Sequence, residues 1–323
     1  MSRYGFVFSA MGAMVLSAPA GFAADLKVVV TSKPIHSLAA AVMEGAGVPR
    51  LLVEGSASPH TFALKPSGAA AINSADVFFR VSGNVEPFSE KISEALPSSV
   101  TLVTLADTAG LTLLDRRTGA TFEEHDHGAH ADHDKHNEHG DHDDDDDAHG
   151  AKDGHVWLDP ENAKLMAQKI ASVLSEKDGD HAATYTANAA KLAMRIDALS
   201  VEIGAQTKPV AGRPFIVFHD AYQYFEKRFG LQAVGSITVS PDVQPSAKRL
   251  SALRGKIGTL DAACVFAEPL FQPKLVAAVT EGTKARAGTL DPEGISLEAG
   301  PELYFTLMRT MAGNLVGCLK PSA

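Results

Sequence analysis

Short apolar runs of the kind that form buried strands recur along the chain and alternate with stretches of helical character. In the first half the apolar runs lie at 26–31, 50–53, 77–81 and 101–105, with helix-like stretches such as 37–43 and 87–96 between them. In the second half they lie at 215–218, 233–239, 263–266 and 287–290, separated by helix-like stretches at 221–229, 246–260 and 273–283. Strands that alternate with helices indicate βαβ units and parallel sheets. The pattern therefore predicts an α/β protein with two βα lobes.

Two helices are predicted between the halves. The first begins at Asp159-Pro160, because Asp is a good N-cap and Pro suits the first helical position. The second covers about 182–206, where apolar residues spaced by 4, 3, 4, 3 and 4 positions form one stripe. These residues are Tyr185, Ala189, Leu192, Ile196, Leu199 and Ile203. A helix of that length spans roughly 37 Å, so we expect it to serve both lobes as a backbone.

The N-terminus has the order of segments that is typical of a signal peptide. Arg3 precedes an uncharged apolar stretch at 4–16, and small residues lead up to Ala23. We expect cleavage near Ala23 and export of the mature chain. The expected domains are a signal peptide at 1–23, an N-terminal βα lobe at 24–180, a long linking helix at 181–207 and a C-terminal βα lobe at 208–323.

Export changes how the two cysteines, Cys264 and Cys318, are interpreted. In an oxidising compartment an even number of cysteines favours a disulfide. Such a bond would tie the C-terminal segment to the core and contribute about 3–4 kcal/mol by closing a long loop. Two free buried thiols are the alternative.

The composition excludes one class of function and isolates one segment. The chain has 323 residues, of which 45% are hydrophobic, and a formal net charge of −10. That charge argues against general nucleic-acid binding, which requires a basic face. Residues 121–150 hold 12 Asp and Glu against one Lys, whereas the other residues carry 28 basic against 27 acidic side chains. One segment therefore makes the protein acidic.

This acidic segment lies in a His/Asp-rich stretch at 117–153, which we call the histidine tract. With almost nothing apolar, the tract is predicted to be a disordered loop. Eight of the 13 histidines of the chain fall in it: His125, His127, His130, His133, His136, His139, His142 and His149. Imidazoles and carboxylates at this density bind transition metals, so we expect an accessory tract that collects weakly bound ions. A solvated acidic loop is the alternative.

Three histidines outside the tract follow predicted strands or precede the linking helices. His60 follows the second apolar run, His219 ends the first run of the second half, and His155 comes shortly before Asp159. Ligands of open α/β sheets bind at the carboxyl ends of the strands. Two facing sheets would bring these imidazoles together and form a tetrahedral zinc site with one oxygen donor. Asp291, which follows the last run, or a water molecule would be the fourth ligand.

Four short motifs resemble those of the bacterial metal-specific solute-binding proteins, in particular the zinc-binding components of high-affinity zinc ABC uptake systems. The motifs are PHTFALKPS at 59–67, HVWLDP at 155–160, FHDAY at 218–222 and GTLDP at 288–292. The resemblance covers nearly all of the mature chain. It implies two βα lobes joined by one long helix, one tight Zn²⁺ site in the cleft between them, a periplasmic location and a membrane permease as partner. We expect a monomer.

The leading hypothesis is therefore extracytoplasmic capture of Zn²⁺ and its delivery to an ABC permease, without enzymatic activity. A zinc hydrolase is one alternative, since three histidines and a water also describe a catalytic zinc. The sequence lacks a His-Glu-x-x-His motif, although Glu268 ends a strand and could approach the cleft. A periplasmic zinc buffer or chaperone without a transporter is the other alternative.

Overall fold

The structure is a computed structural model that describes residues 26–117, 122, 152–238, 244–270 and 273–321. The predicted signal peptide at 1–23 and the eight histidines of the tract lie outside the described residues. Within the described ranges, no helix is both long enough and apolar enough to cross a membrane.

The described residues form two four-stranded sheets in which all strands are parallel, as the α/β pattern predicts. The first sheet has the order β2-β1-β3-β4 and the second β6-β5-β7-β8. The strands are β1 (Val28–Val30), β2 (Arg50–Leu51), β3 (Val77–Arg80), β4 (Thr101–Thr104), β5 (Pro214–His219), β6 (Gln232–Thr238), β7 (Cys264–Ala267) and β8 (Arg286–Thr289). Each of the eight predicted apolar runs coincides with one strand. We call the parts built on the two sheets the first lobe and the second lobe.

Helices cover both faces of each sheet. They are α1 (Lys33–Val42), α2 (Pro66–Asn73), α3 (Phe88–Ser93), α4 (Pro160–Lys177), α5 (Ala182–Thr207), α6 (Gln223–Phe229), α7 (Ala247–Thr259), α8 (Pro273–Thr280) and α9 (Leu303–Leu319). Along β1, Val28 and Val30 face the central core and Val29 faces a separate apolar cluster on the outer side of the sheet. Burial on both faces explains why the strands are continuous apolar runs rather than alternating ones. The sequence pattern did not identify α2 or α9.

The linking helices begin and pack as predicted. The side chain of Asp159 accepts a hydrogen bond from the backbone N–H of Glu161 at 2.9 Å and so caps α4. All six apolar residues of the α5 stripe are buried. Helix α5 packs against α4, against α1 of the first lobe and against α9 of the second. One continuous apolar cluster consequently runs through both lobes, with α5 as their shared support.

A disulfide joins Cys264 at the start of β7 to Cys318 near the end of α9, as predicted. The bond ties the last helix to an interior strand of the second sheet. The C-terminal segment is thereby attached to the core at a point 54 residues away in the chain.

Candidate metal centre

Three histidines from different parts of the chain meet where the carboxyl ends of the two sheets face each other. His219 is the last residue of β5, and His60 lies in the loop that follows β2. His155 directly precedes a short 3-10 turn, Val156–Leu158, which leads into α4. One ring nitrogen from each of the three lies within 4.8 Å of the others. The structure therefore brings together the three histidines that the sequence analysis singled out.

The spacing of the ring nitrogens suits a single small cation. Nε2 of His155 lies 3.2 Å from Nε2 of His60 and 3.3 Å from Nε2 of His219. In a tetrahedral zinc site with Zn–N bonds of about 2.0–2.1 Å, neighbouring ligand atoms are about 3.3 Å apart. The three side chains are 8%, 8% and 2% exposed for His60, His155 and His219 respectively. The arrangement is a buried set of imidazoles with converging nitrogens.

Carboxylates fix the orientation of two of these rings. Nδ1 of His155 lies 2.6 Å from Oδ1 of Asp153, and Nδ1 of His219 lies 2.7 Å from Oε1 of Glu268. When Nδ1–H donates to a carboxylate, the proton stays on that nitrogen and the Nε2 lone pair is free for a metal. Both carboxylates are themselves nearly inaccessible to solvent. The residues that orient the ligands are therefore part of the buried centre.

Each of these carboxylates is held in turn by a side chain that precedes or begins α6. The hydroxyl of Tyr222 donates to Oε1 of Glu268 at 2.9 Å, and the amide of Gln223 donates to Oδ2 of Asp153 at 2.8 Å. Glu268 thus shares one oxygen between an imidazole and a phenol. The sequence analysis considered Glu268 as a residue that could approach the cleft, and the structure places it against the ring of His219.

Neither Asp291 nor Glu293 belongs to the described cluster of ligand atoms that all lie within 4.8 Å of one another. Asp291 is engaged in its own turn. Its Oδ1 accepts a hydrogen bond from the backbone N–H of Ile295 and its Oδ2 from that of Ser296, both at 3.0 Å. Glu293, two residues further on, has its Oε1 3.4 Å from Nε2 of His60, and its other oxygen is buried without a hydrogen-bond partner. The sequence analysis did not single out Glu293. The available signal was the turn-forming order Asp-Pro-Glu-Gly, in which Asp tends to bond its own backbone.

Burial and charge shift several ionisation equilibria here. Burial, and then the neighbouring imidazoles, lower the pKa of His60 well below its ordinary value. Burial would also lower the pKa of His219, but the carboxylate of Glu268 and other acidic neighbours raise it. Burial, followed by the charges of Glu268 and Asp291, raises the pKa of Glu293 well above its usual range. These shifts share one cause, which is that acidic and imidazole groups are crowded together out of contact with water.

The described ends of the histidine tract lie beside this centre. Asp115 and Lys152 form an antiparallel bridge, and their side chains pair at 2.5 Å. Nε of Arg117 donates to the two carboxylate oxygens of Asp220 at 3.0 and 2.9 Å, and Asp220 directly follows His219. The described residues on the two sides of the tract therefore lie close to the three histidines.

Two parallel-sheet lobes, a long helix common to both and a buried three-histidine centre between them define a metal-binding protein of the solute-binding class. The chain belongs to the family described as zinc-uptake complex component A, periplasmic (ZnuA), whose model matches residues 28–318.

Individual relatives agree with this assignment. The chain is 52% identical over 304 residues to the high-affinity zinc uptake system protein ZnuA of Brucella abortus, covering 90% of this chain and 91% of the relative. It is 39% identical over 320 residues to the protein of the same name from Paracoccus denitrificans, covering 95% and 97%. Among solved structures, a Zn(II)-bound variant of AdcAII of Streptococcus pneumoniae superposes with a TM-score of 0.68 at 26% identity, covering 90% and 99%.

Proposed function

We propose that this protein captures Zn²⁺ in the periplasm and delivers it to the membrane permease of an ABC uptake system. The observation that carries the proposal is the convergence of three Nε2 atoms at 3.2 and 3.3 Å in a buried pocket. Membership of the zinc-uptake family and the names of its relatives support the same cargo. Three imidazole nitrogens also favour zinc over manganese, which prefers oxygen ligands.

The protein has no enzymatic role in this proposal. A hydrolytic zinc needs a group that can accept a proton from bound water. The nearest strand-end acid that the sequence suggested, Glu268, already accepts hydrogen bonds from His219 and Tyr222. The position of Glu268 therefore supports a role in orienting the ring of His219 rather than a role as a general base. The family is that of a transporter component, which agrees with a role in carriage.

We assign Glu293 as the fourth donor, in place of Asp291 or water. Its Oε1 stands 3.4 Å from Nε2 of His60, close to the ligand–ligand separation of about 3.3 Å in a tetrahedral zinc site. Asp291, by contrast, accepts backbone N–H groups with both oxygens, and no contact joins it to an imidazole of the described cluster. A carboxylate would also neutralise part of the cation charge inside a buried pocket.

Zinc affinity of single variants tests the three-histidine site. His60→Ala, His155→Ala and His219→Ala should each weaken binding by several orders of magnitude in competition with a chelator of known affinity. His181→Ala is the matched control, because His181 binds Asp178 at the start of α5 and lies outside the cluster. Wild-type affinity in any of the three variants would remove that residue from the site.

The fourth donor is tested by comparing Glu293→Gln with Asp291→Asn. We expect Glu293→Gln to lose more zinc affinity, because it removes a charged ligand, and Asp291→Asn to affect mainly the stability of the turn. A larger loss in Asp291→Asn would restore the aspartate as the ligand. Unchanged affinity in both variants would favour water.

Delivery is tested in a bacterium that keeps the zinc permease and lacks its own periplasmic zinc-binding protein. The wild-type protein should restore growth in chelator-treated medium, and the His219→Ala variant should not. A protein that binds zinc tightly in solution and fails to restore growth or zinc uptake would instead be a buffer or chaperone.

A further inference from the structure

The loop that carries Glu293 follows β8 in the second lobe and folds back on itself. Asp291 closes it by accepting the N–H groups of Ile295 and Ser296. Gly294 lies at φ +66°, a conformation that favours glycine, and a Cβ there would come within 3.2 Å of Leu303. These contacts shape the loop but do not determine its position relative to the three imidazoles.

A lysine of the first lobe holds the loop from the other side. Nζ of Lys33, the first residue of α1, donates to the carbonyl oxygens of Ile295 at 2.7 Å, Leu297 at 2.8 Å and Gly294 at 3.4 Å. An ammonium group has three N–H donors, and here all three reach carbonyls of this one loop. Lys33 is 9% exposed. Burying a charge is unfavourable unless its donors are satisfied, and the loop satisfies them.

A second donor fixes the peptide on the other side of Glu293. The indole N–H of Trp157, two residues after His155, donates to the carbonyl oxygen of Pro292 at 2.9 Å. The residues before and after Glu293 are therefore both bonded to donors from outside the second lobe. Glu293 thus follows a strand of the second lobe, whereas the donors that bond its loop come from residues that precede that lobe in the chain.

We propose that Lys33 is a positioning residue of the metal centre. It holds the 294–297 carbonyls and thereby keeps the Glu293 carboxylate at ligand distance from His60, without contacting the metal. This inference rests on the proposed role of Glu293 as fourth donor. The physical reason is entropic: a carboxylate on an unrestrained loop must be ordered on binding, whereas one already held in place contributes its full attraction to the cation.

The test compares Lys33→Met, Glu293→Gln and the double variant by zinc competition and by the visible absorption spectrum of the Co²⁺-loaded protein. Methionine is close to lysine in length and removes the three donors. We expect Lys33→Met to lower zinc affinity by about 10–100-fold, the usual range for residues that support a ligand. It should shift the Co²⁺ bands in the same direction as Glu293→Gln, and the double variant should bind no more weakly than Glu293→Gln alone.

The matched control is Ser37→Ala, on the same helix. The hydroxyl of Ser37 donates to the carbonyl oxygen of Pro301 and accepts the N–H of Tyr304, both at 3.0 Å, so it ties the two lobes together away from Glu293. This variant should lose stability and keep the wild-type Co²⁺ spectrum. Should Lys33→Met fold poorly, Lys33→Gln retains a neutral amide that cannot supply three donors, and it should show the same spectral shift.

Four results would overturn the inference. If Lys33→Met keeps the wild-type affinity and Co²⁺ spectrum while Glu293→Gln alters both, the positioning role fails and the fourth-donor assignment stands. If Ser37→Ala shifts the spectrum equally, or if the losses of Lys33→Met and Glu293→Gln multiply, the effect is general destabilisation. If Glu293→Gln behaves as wild type, the inference fails together with the fourth donor, and the histidine variants still decide whether zinc is captured.

Discussion

His219 at the end of β5 and Glu268 directly after β7 are joined through a 2.7 Å contact between Nδ1 and Oε1. The two strands are neighbours in the second sheet, so the carboxylate and the imidazole emerge side by side at its carboxyl edge. Because Nδ1–H donates to Glu268, the lone pair of Nε2 points towards the other two imidazoles. The pairing of β5 with β7 therefore fixes the orientation of the His219 ring.

We predict that Glu268→Gln lowers zinc affinity by about 10–100-fold, although Glu268 does not contact the metal. A neutral amide cannot hold the Nδ1 proton as strongly and makes Nε2 a weaker donor. Asp153→Asn should behave similarly through His155, and Asp115→Asn is the matched control because Asp115 is largely exposed. Chelator competition measures all three. Wild-type affinity in Glu268→Gln would show that His219 needs no carboxylate partner.

Removing residues 121–150 should leave one tight zinc ion per chain and eliminate weaker binding. The described ends of the tract are joined by the bridge between Asp115 and Lys152, so the shortened loop can close without displacing Arg117 or Asp153. Isothermal titration of the two proteins counts the ions of each class. Loss of the tight site on deletion would mean that the tract supplies a primary ligand.

Replacing both Cys264 and Cys318 by Ala should lower the free energy of unfolding by about 3–4 kcal/mol. The bond joins residues 54 positions apart, and its loss gives the unfolded chain more conformational entropy. Zinc stoichiometry should stay unchanged, because the disulfide lies at the start of β7 and the metal centre at its end. Denaturant titration with and without a reductant checks the prediction. A wild-type midpoint in the double variant would contradict it.

Stability should fall as the pH rises from about 4.5 to about 7 because of one acid. Glu86 is fully buried, and its carboxylate accepts hydrogen bonds from the Thr31 hydroxyl and, at 2.8 Å, from the N–H of Val81. Burial raises the pKa of Glu86 to about 7, against the opposing effect of these hydrogen bonds. The folded protein thus holds a proton that the unfolded chain releases near its ordinary pKa.

The expected loss amounts to about 3 kcal/mol across that range. Urea unfolding of wild type and Glu86→Gln between pH 4.5 and 8 measures it, since the glutamine variant carries no such proton. Glu90→Gln, which changes a half-exposed carboxylate of the same lobe, is the control and should follow the wild type. Parallel pH profiles for wild type and Glu86→Gln would contradict the raised pKa.

Much of the fold follows from local pattern. A strand buried on both faces needs a continuous apolar run, and a helix with one buried face needs apolar residues at alternating spacings of three and four. These requirements concern residues that are close in the chain. The strand Val77–Arg80 meets the first, and the α5 stripe from Tyr185 to Ile203 meets the second. Helix α9 escaped prediction because its core-facing residues are not separated into a distinct stripe: apolar side chains occur on most of its surface.

The sequence by itself indicated which imidazoles to expect together, because their positions relative to predicted strands and helices are local features. His219 ends an apolar run, His60 follows one, and His155 shortly precedes a helix start. Only the tertiary structure shows that the carboxylate of Glu293, two residues after Asp291, lies 3.4 Å from Nε2 of His60. The loop that carries Glu293 is bonded by Lys33, which lies 261 to 264 residues away in the chain. Hydrogen bonds over such separations form only when the lobes are packed, so no local pattern can encode them.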